Sequence, residues 1–510
     1  MERSLTYTPL ESHWPGERDP SYHDVREATE LPEPAFLSDY RNSLLASSDA
    51  LDNESIMHLD LEVNEDRKYT YPLALLSDFP DELLPHNELV HLREVFSTCC
   101  SKHPFLGRLP IPSTSRQPIT SPLCFAIGCV ASVHSGGDVA TSRDLCLASQ
   151  GLWGATMEVD NREARSIELL ITAILCNMYA ALSTDKFVRN KAGVVLCSAA
   201  TIARRMRFND QKQLEELLGA PASSSSGAFI WCIWLIDIVN ALHFSPPVCT
   251  FSSRELWTTM PGSKAEFQDV YRALIDARSP TIGPLLDVAS HEDALLLLMA
   301  LVSDLIYLRT SLGQSVCLDA LQDKCSFRVN PFVPFSSHTE LERMENTLSL
   351  GLDRWYLHFH DCVPPEIMAF YYYCRLYLTC RQVLSLASLA GYLETGPFPV
   401  SSHEFSASDD TARLAWLILD SAAARSQALS GDCLCPTWLP VVVFHAGLVL
   451  WAKHTFGGVQ VRAQKGVGKM LLPFKMELEG MPWPCCEEMA ATLERLMAAG
   501  APEIAAQQRK

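Results

Sequence analysis

The amino-acid sequence predicts an all-α protein: a large multi-helical domain preceded by an irregular acidic N-terminal segment. Three observations carry that prediction. From about Leu84 onward, apolar residues recur at three- and four-residue spacing in one segment after another, the period of a helix with a buried face. Strand-like alternation and Asn-Gly hairpin signals are almost absent, and no repeat of fixed period is found. Hydrophobic residues make up 48% of the 510-residue chain and charged ones 20%, the balance of a packed globular protein.

The elements follow in order. Residues up to about Asp66 are rich in Asp, Glu, Ser and Pro, and region 1–80 is read as largely irregular, with LDNESIMHLDLEVNED mixing acidic and aliphatic residues. ELVHLREVFSTCC aligns Leu89, Leu92, Val95 and Phe96 on one stripe and ends before a Pro-rich turn with His103, Pro104, Pro110 and Pro112. In SPLCFAIGCVASVHSGG, Ser121 suits a cap, Pro122 the first helical turn, and Gly136 with Gly137 the end. SIELLITAILCNMYAAL repeats Ile167, Leu170, Ile171, Ile174, Leu175 and Met178, the spacing of a deeply buried face. AGVVLCSAATIARRM closes on Arg204 and Arg205, cations that suit a helix C-terminus.

A Ser-rich linker, 223–226, then leads into FIWCIWLIDIVNALHFSPP at 229–247. Trp231 and Trp234 share a face, the lone Asp237 needs a partner or a wet edge, and Pro246 with Pro247 stops the helix. Further helical patterns are KAEFQDVYRALIDA, HEDALLLLMALVSDLIYLRTSL, MENTLSLGLDRWYLHFH, PPEIMAFYYYCRLYLTCRQVLSLASLAGYL as one run, DDTARLAWLILDSAAARSQAL, the Trp438 helix, and CCEEMAATLERLMAAG. The helical mass divides into 85–330 and a C-terminal region, 331–500, packed on it.

Bulk properties narrow the function classes. A formal net charge of −19 opposes nonspecific attraction to phosphate backbones, which takes clustered Lys and Arg. The eighteen cysteines are scattered through apolar stretches, as with Cys176, Cys197, Cys232 and Cys374, and so read as small buried hydrophobes rather than a disulfide framework. The opening MERSLTYTPLESHWPGERD has no apolar core for a signal peptide, which points to a reducing intracellular compartment. The longest apolar runs, around residues 295–308 and 438–453, fall short of a comfortable membrane span of about twenty residues. The first is broken by Asp304, and the second contains Pro440 and His445, so both read as buried helices.

The common catalytic constellations are missing. QKGVGKM around Lys469 has Ala463 where a phosphate loop carries its first glycine and Met470 in place of the magnesium-binding hydroxyl, with no strand before it. Asp409 and Asp410 resemble the start of an aspartate-rich metal motif, but Arg413 takes the place of its last acid, and they read as helix caps. His358 and His360, two residues apart on a helix, point apart; Cys433 with Cys435, and adjacent Cys485 and Cys486, lack the Cys-x-x-Cys spacing of a zinc site. There is no nucleophile elbow, HExxH or dinucleotide glycine fingerprint. The expectation is a non-enzyme with no catalytic, cofactor-binding or metal-ligating residues. A small-molecule pocket, if built, would use Trp231, Trp234, Tyr371 and Tyr372, although an aromatic stripe is more often core.

The order of these segments resembles the regulatory domain, or middle homology region, of fungal-specific transcription factors. HPFLGRLPIPSTSRQPITSPLCFAIGCVAS is similar to its entry, RNKAGVVLCSAATIARRM to its glycine-preceded helix of small residues, and FIWCIWLIDIVNALHFSPP to the tryptophan helix that follows. ELWTTMPGSKAEFQDVYRAL resembles the Met-Pro segment after it, and LDRWYLHFH, the tyrosine-rich 371–377 helix and PTWLPVVVFHAGLVLWAKHTFGG later elements, so the resemblance spans roughly 85–495. Two departures stand out. The family's N-terminal zinc cluster or finger has no counterpart, since no cysteine precedes Cys99, and Gly227 with Ala228 replaces an Arg-Arg pair common at the start of the tryptophan helix. The resemblance implies a nuclear transcriptional regulator of a fungal secondary-metabolite gene cluster. It would act through a DNA-bound partner or an upstream finger outside this chain, with room for a small-molecule inducer and a homodimer, and without a membrane. The alternative is an all-α enzyme or small-molecule-binding protein reusing the helical fold.

Overall fold

The computed structural model describes residues 79–80, 84–100, 102–111, 122–159, 166–218, 226–244, 251–276, 278, 290–322, 337–392, 407–428, 434–456 and 464–507. Nearly all of region 1–80, the boundary expected at 330–331, Ser121 and the Pro246–Pro247 stop lie outside these residues. The described part is 78% helical, with sixteen α-helices and no strands, so the fold is all-α. Two isolated bridges, Asp210 with Trp257 and Thr259 with Glu266, are its only β pairing.

The helices pack largely in chain order. Helix α1 (His86–Cys100) rests on α2 (Pro122–His134), which packs against α3 (Val139–Val159) and α4 (Ile167–Ala180). Helix α5 (Lys186–Arg205) lies on α4, and the short α6 (Gln211–Leu218) follows it. Helix α7 (Ser226–His243) takes the middle position, touching α4, α5, α9 (His291–Gln322) and α14 (Leu439–Phe456). Helix α10 (Ser337–Phe359) joins α9 to α8 (Phe267–Ile275), and α11 (Pro365–Thr379) packs on α9, α13 (Asp409–Ala428) and α14. The one-turn α12 (Ser385–Leu389) also meets α14, and α15 (Gln464–Glu479) with α16 (Cys485–Gln507) closes the far end. The buried apolar side chains form one contiguous core from Leu89 to Leu496.

Local chemistry explains most boundaries. Ser166 accepts the Leu169 N–H at the start of α4, and Asp185 accepts those of Phe187 and Val188 at the start of α5. Arg204 and Arg205 occupy the last turn of α5, as expected. Helix α2 starts on Pro122 and is followed by Gly136 at φ +71°, a left-handed backbone that glycine adopts at little cost. Helix α13 is capped by Ser408, whose Oγ accepts the Thr411 N–H at 3.1 Å. Asp409 and Asp410 are therefore not the caps: they sit in the first turn, where their negative charge is favoured by the positive end of the helix dipole.

Three helices have no counterpart in the sequence expectation: α3, α6 and α15. Helix α15 contains Pro473, along with Gly466 and Gly468, and local propensity argues against it. Tertiary packing prevails there, because Phe474 is fully buried against Trp416 (ring centroids 5.4 Å apart) and faces Gly447 of α14 across a close approach. Ser226 belongs to α7 rather than to a linker.

The long tyrosine-rich run is two helices, not one. It breaks at Cys380, whose backbone is extended, although neither Pro nor Gly is present. The cause lies in α9: the Arg309 guanidinium donates to the carbonyls of Tyr377 and, at 2.9 Å, of Leu378, taking up acceptors that a continuing helix would use. Glu345 of α10 holds the guanidinium at 2.9 Å and also pairs with Arg381. Arg309→Ala is expected to destabilise the protein by roughly 3 kcal/mol, since it leaves a half-buried carboxylate and two helix-end carbonyls short of a partner. A urea denaturation midpoint compared with that of Arg309→Lys checks this, lysine keeping the charge and losing the fork.

Helices α7 and α14 are both long and apolar enough to cross a membrane, contrary to the expectation that no run reaches that length. Their apolar windows are 94% and 78% buried among the other helices, the behaviour of core elements.

Candidate functional site

Sequence segments far apart in the chain converge on α7. After α1, His103 Nδ1 accepts the N–H groups of Phe105 and Leu106 at 3.2 and 3.1 Å, which folds the chain into a 3-10 turn, Leu106–Arg108. That turn delivers the Phe105 ring to Trp231, with centroids 5.7 Å apart. Beyond α5, Phe208 stacks on Phe229 at 4.9 Å and 12°. Arg204 lies 4.3 Å over the Phe251 ring and pairs with Glu255 at 2.8 Å. The Phe251 N–H donates to Asp237 at 3.3 Å, so the carboxylate on the apolar helix is buried with a partner rather than at a wet edge.

The far side of α7 meets the Met-Pro segment and α9. Trp234 Nε1–H donates to Ser303 Oγ at 3.2 Å, and its ring stands edge-on to Phe267 at 6.3 Å. Below it, Asp304 accepts from Ser253 Oγ at 2.7 and 2.8 Å and from the Tyr271 hydroxyl at 2.8 Å. Burial holds the Asp304 carboxyl above the ordinary carboxylate range, against the pull of those hydroxyls. Asp293 receives the N–H groups of Gly262 and Ser263 at 2.7 and 2.9 Å, which anchors the turn after Met260 and Pro261 to the start of α9. At Gly262 a Cβ would collide with Ser290, and at Gly227 with the Trp231 ring 2.6 Å away. The close approach at the start of α7 therefore leaves no room for an arginine at position 227.

An open groove lies elsewhere, between α11, α13 and the turn after α10. It measures about 360 Å³, within the range of small-molecule sites. Tyr356, His360 and Tyr372 form its aromatic side, and Asp420 and Ser421 face them from α13. His360 is fixed by Tyr356 O at 2.8 Å and by Asp361 at 3.1 Å. Of the four aromatics expected at a pocket, only Tyr372 lines this groove. Tyr371 is buried behind it, stacked on Trp355 at 5.1 Å, while Trp231 and Trp234 are core at α7.

The remaining candidates are also placed. QKGVGKM forms the first turns of α15, so it is no loop, and Asp409 binds Lys453 at 2.6 Å. That ammonium holds the Asp409 carboxyl below its ordinary range. His358 and His360 do not converge: the His358 Nε2 has no hydrogen-bond partner among the described residues. Cys433 lies outside the described residues, and Cys435, Cys485 and Cys486 are buried free thiols. Burial pushes the Cys435 thiol up to about 12 and Cys486 upward as well, which keeps them protonated. No group of three metal-ligating side chains occurs among the described residues. Sequence reasoning missed the groove because its walls come from helices distant in the chain, each with an ordinary mix of aromatic and polar residues.

No family model, curated protein or solved structure matches this chain.

Proposed function

We propose that this chain is a nuclear transcriptional regulator, of the kind that controls a fungal secondary-metabolite gene cluster, acting through a DNA-bound partner or an upstream finger. One observation carries the reading. The His-Pro entry, the glycine-preceded helix, the tryptophan helix and the Met-Pro segment stand in the order of that regulatory domain, and the other three pack on the tryptophan helix, α7. Order along the chain and contact in space support the resemblance together. It rests on these and not on a match to any family model. The acidic balance supports indirect DNA contact, since direct binding draws on clustered cations.

Expected at physiological salt is no tight sequence-specific complex between the full chain alone and promoter DNA, measured by fluorescence anisotropy, with a specific complex formed when the partner is added. Tight specific binding by the chain alone overturns the partner-dependent form of the proposal. The groove lined by Tyr356, His360 and Tyr372 favours a second reading, a small-molecule-binding protein or all-α enzyme on the same fold. Binding or turnover of a small molecule by the full chain, abolished by Tyr372→Ala or Asp420→Ala in the groove, would favour that second reading over the regulator.

A further inference from the structure

Helix α5 carries Lys186, Arg189, Lys191, Arg204 and Arg205 and no acidic residue, in a chain of net charge −19. Arg189 and Arg204 turn inward, Arg189 to the carbonyls of Ser183 and Thr184 and Arg204 to Glu255. The outward face mixes two exposed apolar side chains with the small or polar residues Asn190, Gly193 and Thr201, and it has cations along its rim. Phe187 is 46% exposed and Val194 67%. The Cys197 thiol is exposed one turn on, and Lys186 and Arg205 stand exposed at the two ends. The Lys191 ammonium sits 4.6 Å over the Phe187 ring. Helices α3, α4 and α7 pack on α5 from its other side, and a Cβ added at Gly193 would meet nothing within 4 Å.

We infer that this face is the docking site of the chain's own acidic-aliphatic segment, residues 51–66. That segment, LDNESIMHLDLEVNED, has carboxylates at 52, 54, 60, 62, 65 and 66 interleaved with aliphatic residues. Its charge complements the cations, and its aliphatic side chains match Phe187 and Val194. A nucleic-acid backbone would meet the cations and leave those apolar groups unmatched, so the pattern favours a peptide. The tether is long enough. Phe79 rests edge-on against Phe125 of α2 at 6.2 Å, α2 packs on α4, and α4 packs on α5. Two helix spacings of about 10 Å, with half a helix diameter at each end, put the face roughly 30 Å from Phe79, and residues 67–78 extend to about 40 Å.

The test uses the full chain with the photo-crosslinking residue p-benzoylphenylalanine at position 194, and a second chain with it at position 187. Expected after irradiation is a cross-link within one chain to residues 51–66, mapped by mass spectrometry, from both positions. Its yield should fall about tenfold with Asp60→Lys and Glu62→Lys together, and in 1 M salt, where the screening length is about 3 Å. Circular dichroism and the melting temperature should be unchanged, because both labelled positions are exposed. Cross-links to a second copy, resolved by mixing isotopically heavy and light chains, would overturn the inference. So would cross-links to added duplex DNA, or none to 51–66 from either position.

Discussion

Trp234→Ala is expected to destabilise the protein by about 4 kcal/mol, the range for emptying a fully buried tryptophan site. Trp234 is 0% exposed, lies at the middle helix of the core, and donates its indole hydrogen to Ser303. Truncation leaves a cavity lined by Phe267 and by α9, and neighbouring helices cannot close on it without breaking the Asp304 hydroxyl network. Trp234→Phe should cost roughly 1–2 kcal/mol, because most apolar volume stays and one hydrogen bond goes. Trp257→Ala provides the contrast. That ring is 44% exposed and stacks loosely under Arg272 at 6.0 Å, so its loss should cost under about 1 kcal/mol. Urea midpoints of the three variants check the order, and a Trp257 effect equal to that of Trp234 would contradict the packing described.

Mild acid is expected to unfold the protein through three buried histidines and the half-buried His134. His103, His134 and His243 are held neutral to about pH 4 and His445 to about 3, in each case chiefly by burial. The hydrogen bonds give a second reason. His103 Nδ1 and His134 Nε2 each accept backbone N–H groups, which cannot reverse to receive a proton donor. His243 Nδ1 faces the Ala181 carbonyl, so its Nε2 must accept from the Tyr392 hydroxyl. Each folded-state value lies below the ordinary 6.5, so the unfolded chain binds more protons between about pH 6.5 and 4. Stability is therefore complete above about pH 6.5 and is lost as the pH falls toward 4. Each imidazole contributes on the order of 3 kcal/mol over that window, and four together rival the whole stability of a typical domain. Asp293 and Asp304, raised by burial, act in the opposite sense but are two groups against four. Melting temperatures should be level from pH 8 to about 6.5 and fall steeply below 6; a flat profile down to pH 4.5 would contradict the burial of these rings.

Much of the helical architecture was legible because burial writes a period into the sequence. Ile167, Leu170, Ile174 and Met178 repeat at helical spacing, and α4 is buried along its whole length. Gly136 and Pro122 mark real ends for stereochemical reasons that need no neighbours. What could not be read is set by partners distant in the chain. The break at Cys380 depends on Arg309, some seventy residues earlier, and α15 exists because Phe474 finds Trp416 and Gly447. The same holds for function. From the sequence Asp237 needs either a partner or a wet edge, and only the fold shows that the Phe251 N–H, fourteen residues on, is the partner. The groove depends on Tyr356 of α10 meeting Asp420 of α13, which no local pattern announces.

Chromatin occupancy tests the regulatory role most directly. With the full chain tagged at its own locus, a regulator recruited by a DNA-bound partner should be enriched at a small set of promoters, clustered around secondary-metabolite genes. That enrichment should vanish when the partner is deleted. Occupancy no higher than in an untagged strain, with the partner present and the tagged chain outside the nucleus, would contradict a role in transcription.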